Sequence, residues 1–274
     1  MKKCKKIFAV IEVVLVFSCT LFLVAWVGQS PFGTIEQQGS NLFFIEYGIM
    51  ILFPLLLLLV FRRDLVLFGL SLRNFSYQMD VAGTALIPVA ISSIVFALVD
   101  YREWHGSLVV AVLKIAVLFS VGWLLKSKPT VDRRGGLFVT ILPLIMIGLF
   151  AIARLGDPLS VFVFYLFFVG FGEEFLFRGY IQSRLNTAFG KNFIFMGVHV
   201  GWGLIITSLL FGLMHVLNIG SWAADGWELA WWWGFWTFFS GLVLGFVREK
   251  TGSIYASAIL HGLPQAIALA FLSL

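Results

Sequence analysis

The chain has 274 residues, of which 60% are hydrophobic and only 12% charged, far from the roughly half apolar and one-quarter charged make-up of soluble domains. The apolar runs are near the roughly twenty residues of a spanning helix and lack the short alternating pattern of a membrane β-barrel, so the chain reads as an integral membrane protein of the all-α class. The net charge of +5 follows from cations flanking the apolar runs and implies no nucleic-acid partner. With cysteines only at 4 and 19, no disulfide framework or CxxC metal site is available.

The opening "MKKCKKIFAVIEVVLVFSCTLFLVAWV" has the basic start of a secretory signal, but its apolar stretch is too long and "AWVGQS" is a poor cleavage site, so it reads as the first span. "VFSC" before Cys19 is only loosely a lipoprotein box, because the bulky Phe17 stands where a small residue is required. Further spans are expected over 43–61, 81–99, 107–125, 137–153, 159–182, 201–219, 229–247 and 253–272, after a first over 7–27. That makes a bundle of about nine spans. Two parts are expected, 1–158 as N-terminal spanning helices and 159–274 as a catalytic core of about four spans.

Connections on one side hold Lys2, Lys3, Lys5 and Lys6, then Arg62, Arg63 and Arg73, then Lys126, Lys128, Arg133 and Arg134, then Arg184 and Lys191, then Arg248 and Lys250. The other side holds only Arg102 and Arg154. The bias predicts a multi-pass protein of the cell membrane with a cytoplasmic N-terminus and an external C-terminus. The stretch "SWAADGWELAWWWGFW", 221–236, falls on the outer side and reads as an interfacial belt, with a lipid or substrate gate as the other reading. Lys114 lies inside a span and either snorkels or faces the interior. His105 and His199 near span ends read as solvated.

Three polar sets stand at membrane depth, where ionisable groups mark function. They are "FVGFGEEFLFRGY" with Glu173, Glu174 and Arg178, "LLFGLMH" ending at His215, and "ILHGLPQ" with His261 and Gln265. Residues four apart on a helix share a face, whereas neighbours diverge by about 100°. Glu174 and Arg178 therefore pair, and Glu173 points elsewhere, available as a general base. His261 and Gln265 project into one space, where both side chains carry donors suited to an oxyanion. Pro264 and Gly262 are expected to loosen the helix beside His261 and to open room for a substrate.

The order Glu-Glu-x-x-x-Arg, Phe-x-x-x-His and a late-helix His, met here at Glu173, Glu174 and Arg178, at Phe211 and His215, and at His261, resembles the CPBP intramembrane proteases. That family includes the type II CAAX prenyl endopeptidases of the Rce1 kind and bacteriocin-processing or immunity homologues. The resemblance covers roughly 159–272. It implies peptide-bond hydrolysis without a covalent intermediate or a cofactor, with Glu173 and His215 activating a water and His261 with Gln265 holding the oxyanion. Glu174, Arg178 and Phe211 are implied as structural support. The family commonly has Asn or Asp where this chain has Gln265, and "GKNFIFMGVHV", 190–200, is an insertion between the first two motifs, expected near the cytoplasmic interface.

The expected partners are a peptide or protein substrate, lipidated or membrane-anchored, and the bilayer itself. Three other readings compete. A His2Glu zinc protease lacks HExxH, an ion-coupled transporter lacks repeat symmetry between the halves, and a silent scaffold or immunity protein leaves Glu173, His215 and His261 unexplained. The spans as drawn put Glu173 and His261 about 13–15 Å inside the membrane and His215 about 21 Å, so the three meet only if a helix tilts or starts later.

Overall fold

The computed structural model describes residues 2–33, 42–128, 157–217 and 229–272. It is an all-α membrane bundle: α1 (Lys2–Gly28), α2 (Phe44–Val60), α3 (Phe75–Ser93), α4 (Trp104–Leu125), α5 (Pro158–Phe189), α6 (Trp202–Leu217), α7 (Trp231–Thr251) and α8 (Tyr255–Leu272). The span expected over 137–153 lies outside the described residues, as do Arg133, Arg134, Arg154 and the first half of the tryptophan-rich stretch. Among the described residues, five helices are long and apolar enough to cross a membrane, namely α1, α3, α4, α5 and α8, while α2 and α6 are shorter apolar helices.

The centre of the fold is α5, whose 32 residues amount to about 48 Å of helix at 1.5 Å per residue. Two of its stretches are π-helical, Phe164–Val169 and Phe175–Gln182, and the paired glutamates lie on the α-helical turn between them, Gly170–Glu174. A π stretch adds a residue to the turn and re-aims the side chains around it, which is why such segments collect at functional sites. Around α5 lies an aromatic-rich core in which Phe175, Leu176, Phe177 and Ile181 are inaccessible to solvent.

Lipid offers no hydrophobic drive for helices to associate, so close approach through small residues carries the packing. At the crossing of α5 and α8, a β-carbon on Gly170 would lie 2.7 Å from the Ala258 carbonyl oxygen, and one on Gly262 would lie 2.6 Å from that of Tyr165. The backbones meet there because neither residue has a side chain. α8 continues unbroken through Pro264, so Gly262 serves this crossing instead of loosening the helix as expected from the sequence.

The insertion at 190–200 forms a two-stranded antiparallel hairpin, β1 (Phe193–Phe195) and β2 (Val198–Val200). Met196 and Gly197 turn it with φ of 48° and 78°, the left-handed pair that a two-residue hairpin turn demands. Phe195 packs on Phe119 of α4 and Phe246 of α7, while Ile194 and His199 form the outward-facing pair.

Near the hairpin the charges read from the sequence as connecting cations are buried. Arg248, Glu249 and Lys250, at the end of α7, are all at most 2% exposed. Glu249 accepts from Gln182 at 2.6 Å and from Asn186 at 2.5 Å and pairs with Lys191. Arg248 donates to the carbonyls of Arg178 and Leu67, both at 3.2 Å, and to Ser183. Buried charge is tolerated where donors and acceptors are matched in this way, and the matched set ties α7 to the last turns of α5. On the opposite flank, Glu12 of α1 accepts from Tyr180 at 3.0 Å and Arg184 at 2.8 Å, fastening the first helix to the same end.

Gly262→Val is expected to force α5 and α8 apart and to destabilise the protein by about 1–3 kcal/mol. Gly83→Ala, on an exposed position of α3 with nothing within 4 Å of a new β-carbon, is expected to be neutral or to stabilise by about 0.5–1 kcal/mol. Thermal unfolding of the two variants in detergent checks the contrast.

Candidate active site

Glu173 and Glu174 lie near the middle of α5 and are 3% and 0% exposed. Glu174 has the partner its spacing predicts: Arg178 Nη1 donates to Glu174 Oε1 at 2.6 Å. Arg178 also donates through Nη2 to the Gly241 carbonyl of α7 at 3.2 Å, and its guanidinium carbon lies 4.4 Å from the ring centroid of Phe211 on α6. One planar cation therefore holds three helices, through an ion pair, a carbonyl and an aromatic face.

His261 of α8 reaches the same carboxylate, with Nδ1 3.1 Å from Glu174 Oε1. A carboxylate that already accepts from arginine can only accept again, so the His261 proton is assigned to Nδ1. The other ring nitrogen, Nε2, is then turned toward Glu173, 3.7 Å from Oε2. Glu173 Oε1 accepts from the hydroxyl of Tyr47 on α2 at 3.1 Å. Its Oε2 has no hydrogen-bond partner among the described residues.

His215 stands on the last turn of α6 with Nδ1 2.8 Å from the Phe211 carbonyl oxygen. A carbonyl cannot donate, so Nδ1 carries the proton and Nε2 presents a lone pair. Its ring is edge-on to Phe211 at 4.6 Å and to Trp233 of α7 at 4.9 Å, and Phe211 meets His261 at 5.8 Å. Glu173, His215, His261, Glu174, Arg178 and Phe211 thus converge. Gln265, one turn beyond His261, is exposed and makes no hydrogen bond to them.

The depths that the sequence left discordant are reconciled by two helix ends. α5 extends to Phe189, which puts Glu173 about 24 Å from that end, beside about 20 Å for His215 from the start of α6. α8 starts inside the protein: Ile254 N donates to the Gly69 carbonyl at 3.1 Å, Ser253 Oγ donates to the same oxygen at 3.1 Å, and Ile254 is fully buried. His261, only about 9 Å along α8, is therefore level with the others.

Two neighbours were missed in the sequence. Trp233 belongs to the stretch read as an interfacial belt, yet its ring packs on His215. Tyr47, in "FIEYGIM", stands alone with no spacing partner, and only the packing of α2 on α5 brings it to Glu173. Among the described residues, no three His, Cys, Asp or Glu side chains are grouped to hold a metal ion.

Residues 155–267 match the family model described as Type II CAAX prenyl endopeptidase Rce1-like, the family that the three motifs resemble. Comparison with the curated proteins and with the solved structures finds no match.

Glu174→Gln and Arg178→Ala are each expected to lower stability by about 3–5 kcal/mol, because each strands a buried charge. Arg178→Lys is expected not to restore it, since an ammonium lacks the planar fork that meets Glu174 and Gly241 together. Yield and thermal midpoint of the purified variants provide the check.

Proposed function

We propose that the Rce1-like segment makes this multi-pass membrane protein an intramembrane endopeptidase, with 159–274 as its catalytic unit. The observation that carries the reading is a buried carboxylate oxygen, Glu173 Oε2, that has no hydrogen bond among the described residues and faces His261 Nε2 at 3.7 Å, in a site where the Nδ1 atoms of His215 and His261 are committed to Phe211 and Glu174. A water set between Glu173 and His215 gives a proton to Oε2 while His215 Nε2 accepts its second hydrogen and orients it. The water oxygen bonds to the scissile carbonyl carbon, and the carbonyl electron pair moves onto oxygen. In the reaction His261 carries a second proton, on Nε2, and donates it as a hydrogen bond to that oxyanion, and Gln265, exposed one turn further along α8, is the second donor once substrate extends to its carboxamide. When the C–N bond breaks, the proton held by Glu173 goes to the departing amine.

Glu174 and Arg178 support the site without entering the reaction. The substrate is a peptide or protein held at the membrane, and the chain is oriented with its N-terminus in the cytoplasm of the cell whose membrane it spans, on the strength of the cation bias.

Glu173→Gln is expected to abolish cleavage while leaving the protein folded, and His215→Ala to reduce the rate by about 10²–10⁴, the usual contribution of a positioned acid–base group. Both are read by mapping new peptide termini in membranes with active or variant protein. Cleavage by Glu173→Gln at the wild-type rate would end this assignment, and inhibition by phenanthroline that zinc reverses would establish a metal mechanism in its place.

Gln265→Leu is expected to lower the single-turnover rate by about 10²–10³, as for loss of another oxyanion donor, and Gln265→Asn to retain part of it. Leucine cleaving as fast as wild type would leave His261 to hold the oxyanion with a different donor.

A further inference from the structure

α2 lies outside the matched segment 155–267, yet it reaches the proposed general base, and the contact is built from both sides. The Tyr47 ring is edge-on to Phe164, with centroids 5.3 Å apart and planes at 88°. One turn earlier on the helix, Phe44 packs against Phe164 at 5.1 Å and Phe168 at 4.8 Å. These rings lock α2 onto the π-helical stretch that precedes the glutamates. On α5, a β-carbon at Gly172 would lie 3.3 Å from the Tyr47 carbonyl oxygen and 3.5 Å from Ile51 Cγ1. The glycine immediately before Glu173 therefore lets α2 settle against α5 at the level of the carboxylate.

The result is an asymmetric carboxylate. Oε1 accepts the Tyr47 hydroxyl at 3.1 Å, whereas Oε2 has no hydrogen bond among the described residues and faces His261 Nε2 at 3.7 Å. We infer that Tyr47 is a positioning residue for the hydrolysis: its hydroxyl holds Oε1, fixes the rotation of the Glu173 side chain, and leaves Oε2 as the atom that takes the proton from water. The inference rests on Glu173 being the general base. A hydrogen bond to an ionised partner is strong enough to set a side-chain torsion, and a base rotated away from its water loses the proximity on which its action depends. The N-terminal helices then supply part of the catalytic machinery as well as anchoring the chain.

The test uses full-length protein in detergent and a quenched fluorescent peptide ending in a farnesylated cysteine, two aliphatic residues and a terminal residue. Wild type, Glu173→Gln and Tyr47→Phe are compared for kcat, KM and thermal midpoint. Tyr47→Phe keeps the ring and its packing on Phe164, so the expected result is a kcat lower by about 10- to 100-fold, with KM and midpoint unchanged. A Tyr47→Phe kcat within about threefold of wild type, while Glu173→Gln is inactive, overturns this inference and leaves the role of Glu173 intact. A fall in kcat matched by a fall in midpoint makes Tyr47 a packing residue and overturns it as well. Cleavage by Glu173→Gln overturns the functional reading beneath it, as does a wild type that neither cleaves this peptide nor generates new peptide termini in membranes.

Discussion

Four helices meet at one oxygen atom and the cation bound to it. Glu174 Oε1 on α5 accepts from Arg178 of the same helix and faces His261 Nδ1 on α8, and Arg178 passes the connection to the Gly241 carbonyl on α7 and to the face of Phe211 on α6. In lipid, an unmatched carboxylate or guanidinium has no water to fall back on, so each group enforces the presence of the others. The glycine crossing of α5 and α8 makes the arrangement possible by bringing the backbones close enough for an imidazole to span the gap. Everything that distinguishes the two histidines follows from there. His261 is turned by its tie to Glu174, while His215 is turned by a carbonyl of the residue whose ring covers Arg178.

How much of this was legible in the sequence depends on whether a feature is local to one helix. The spacing of four between Glu174 and Arg178 is such a feature, and the ion pair is found. Helix positions were likewise readable from runs of apolar residues, since the length of a span is a property of the run itself. Ends were harder. α5 continues past Gln182 because Gln182, Ser183 and Asn186 are hydrogen-bonded inside the protein with Arg248 and Glu249, partners sixty or more residues away that leave no local trace. Tyr47 and Trp233 were missed for the same reason, as their roles come from packing between helices.

The charges at the end of α7 show where a hydropathy rule stops informing structure. Arg248 and Lys250 contribute to the cation bias that suggests orientation, and the same side chains are buried in carbonyl and hydroxyl contacts. Lys114 is the counterexample in the middle of the bundle. It is 7% exposed and is held by the Ser92 hydroxyl at 3.1 Å and over the Phe96 ring at 5.5 Å. Its burial settles the choice between snorkelling and facing inward in favour of the interior.

In the proposed reaction the adjacent glutamates divide two tasks between two carboxylates. A carboxylate that anchors a guanidinium has its oxygen committed to that tie and is not free to turn toward a water. A carboxylate free of such a partner makes a poor anchor. Neighbouring positions on a helix diverge by about 100°, so a Glu-Glu pair sends one carboxylate to Arg178 on its own face and the other toward Tyr47 and His261. Merging the two tasks in one residue would bind the proposed proton acceptor to the cation that holds the bundle together. Separating them by a single residue keeps Glu173 Oε2 within 3.7 Å of His261 Nε2 while Glu174 fixes the imidazole that faces it.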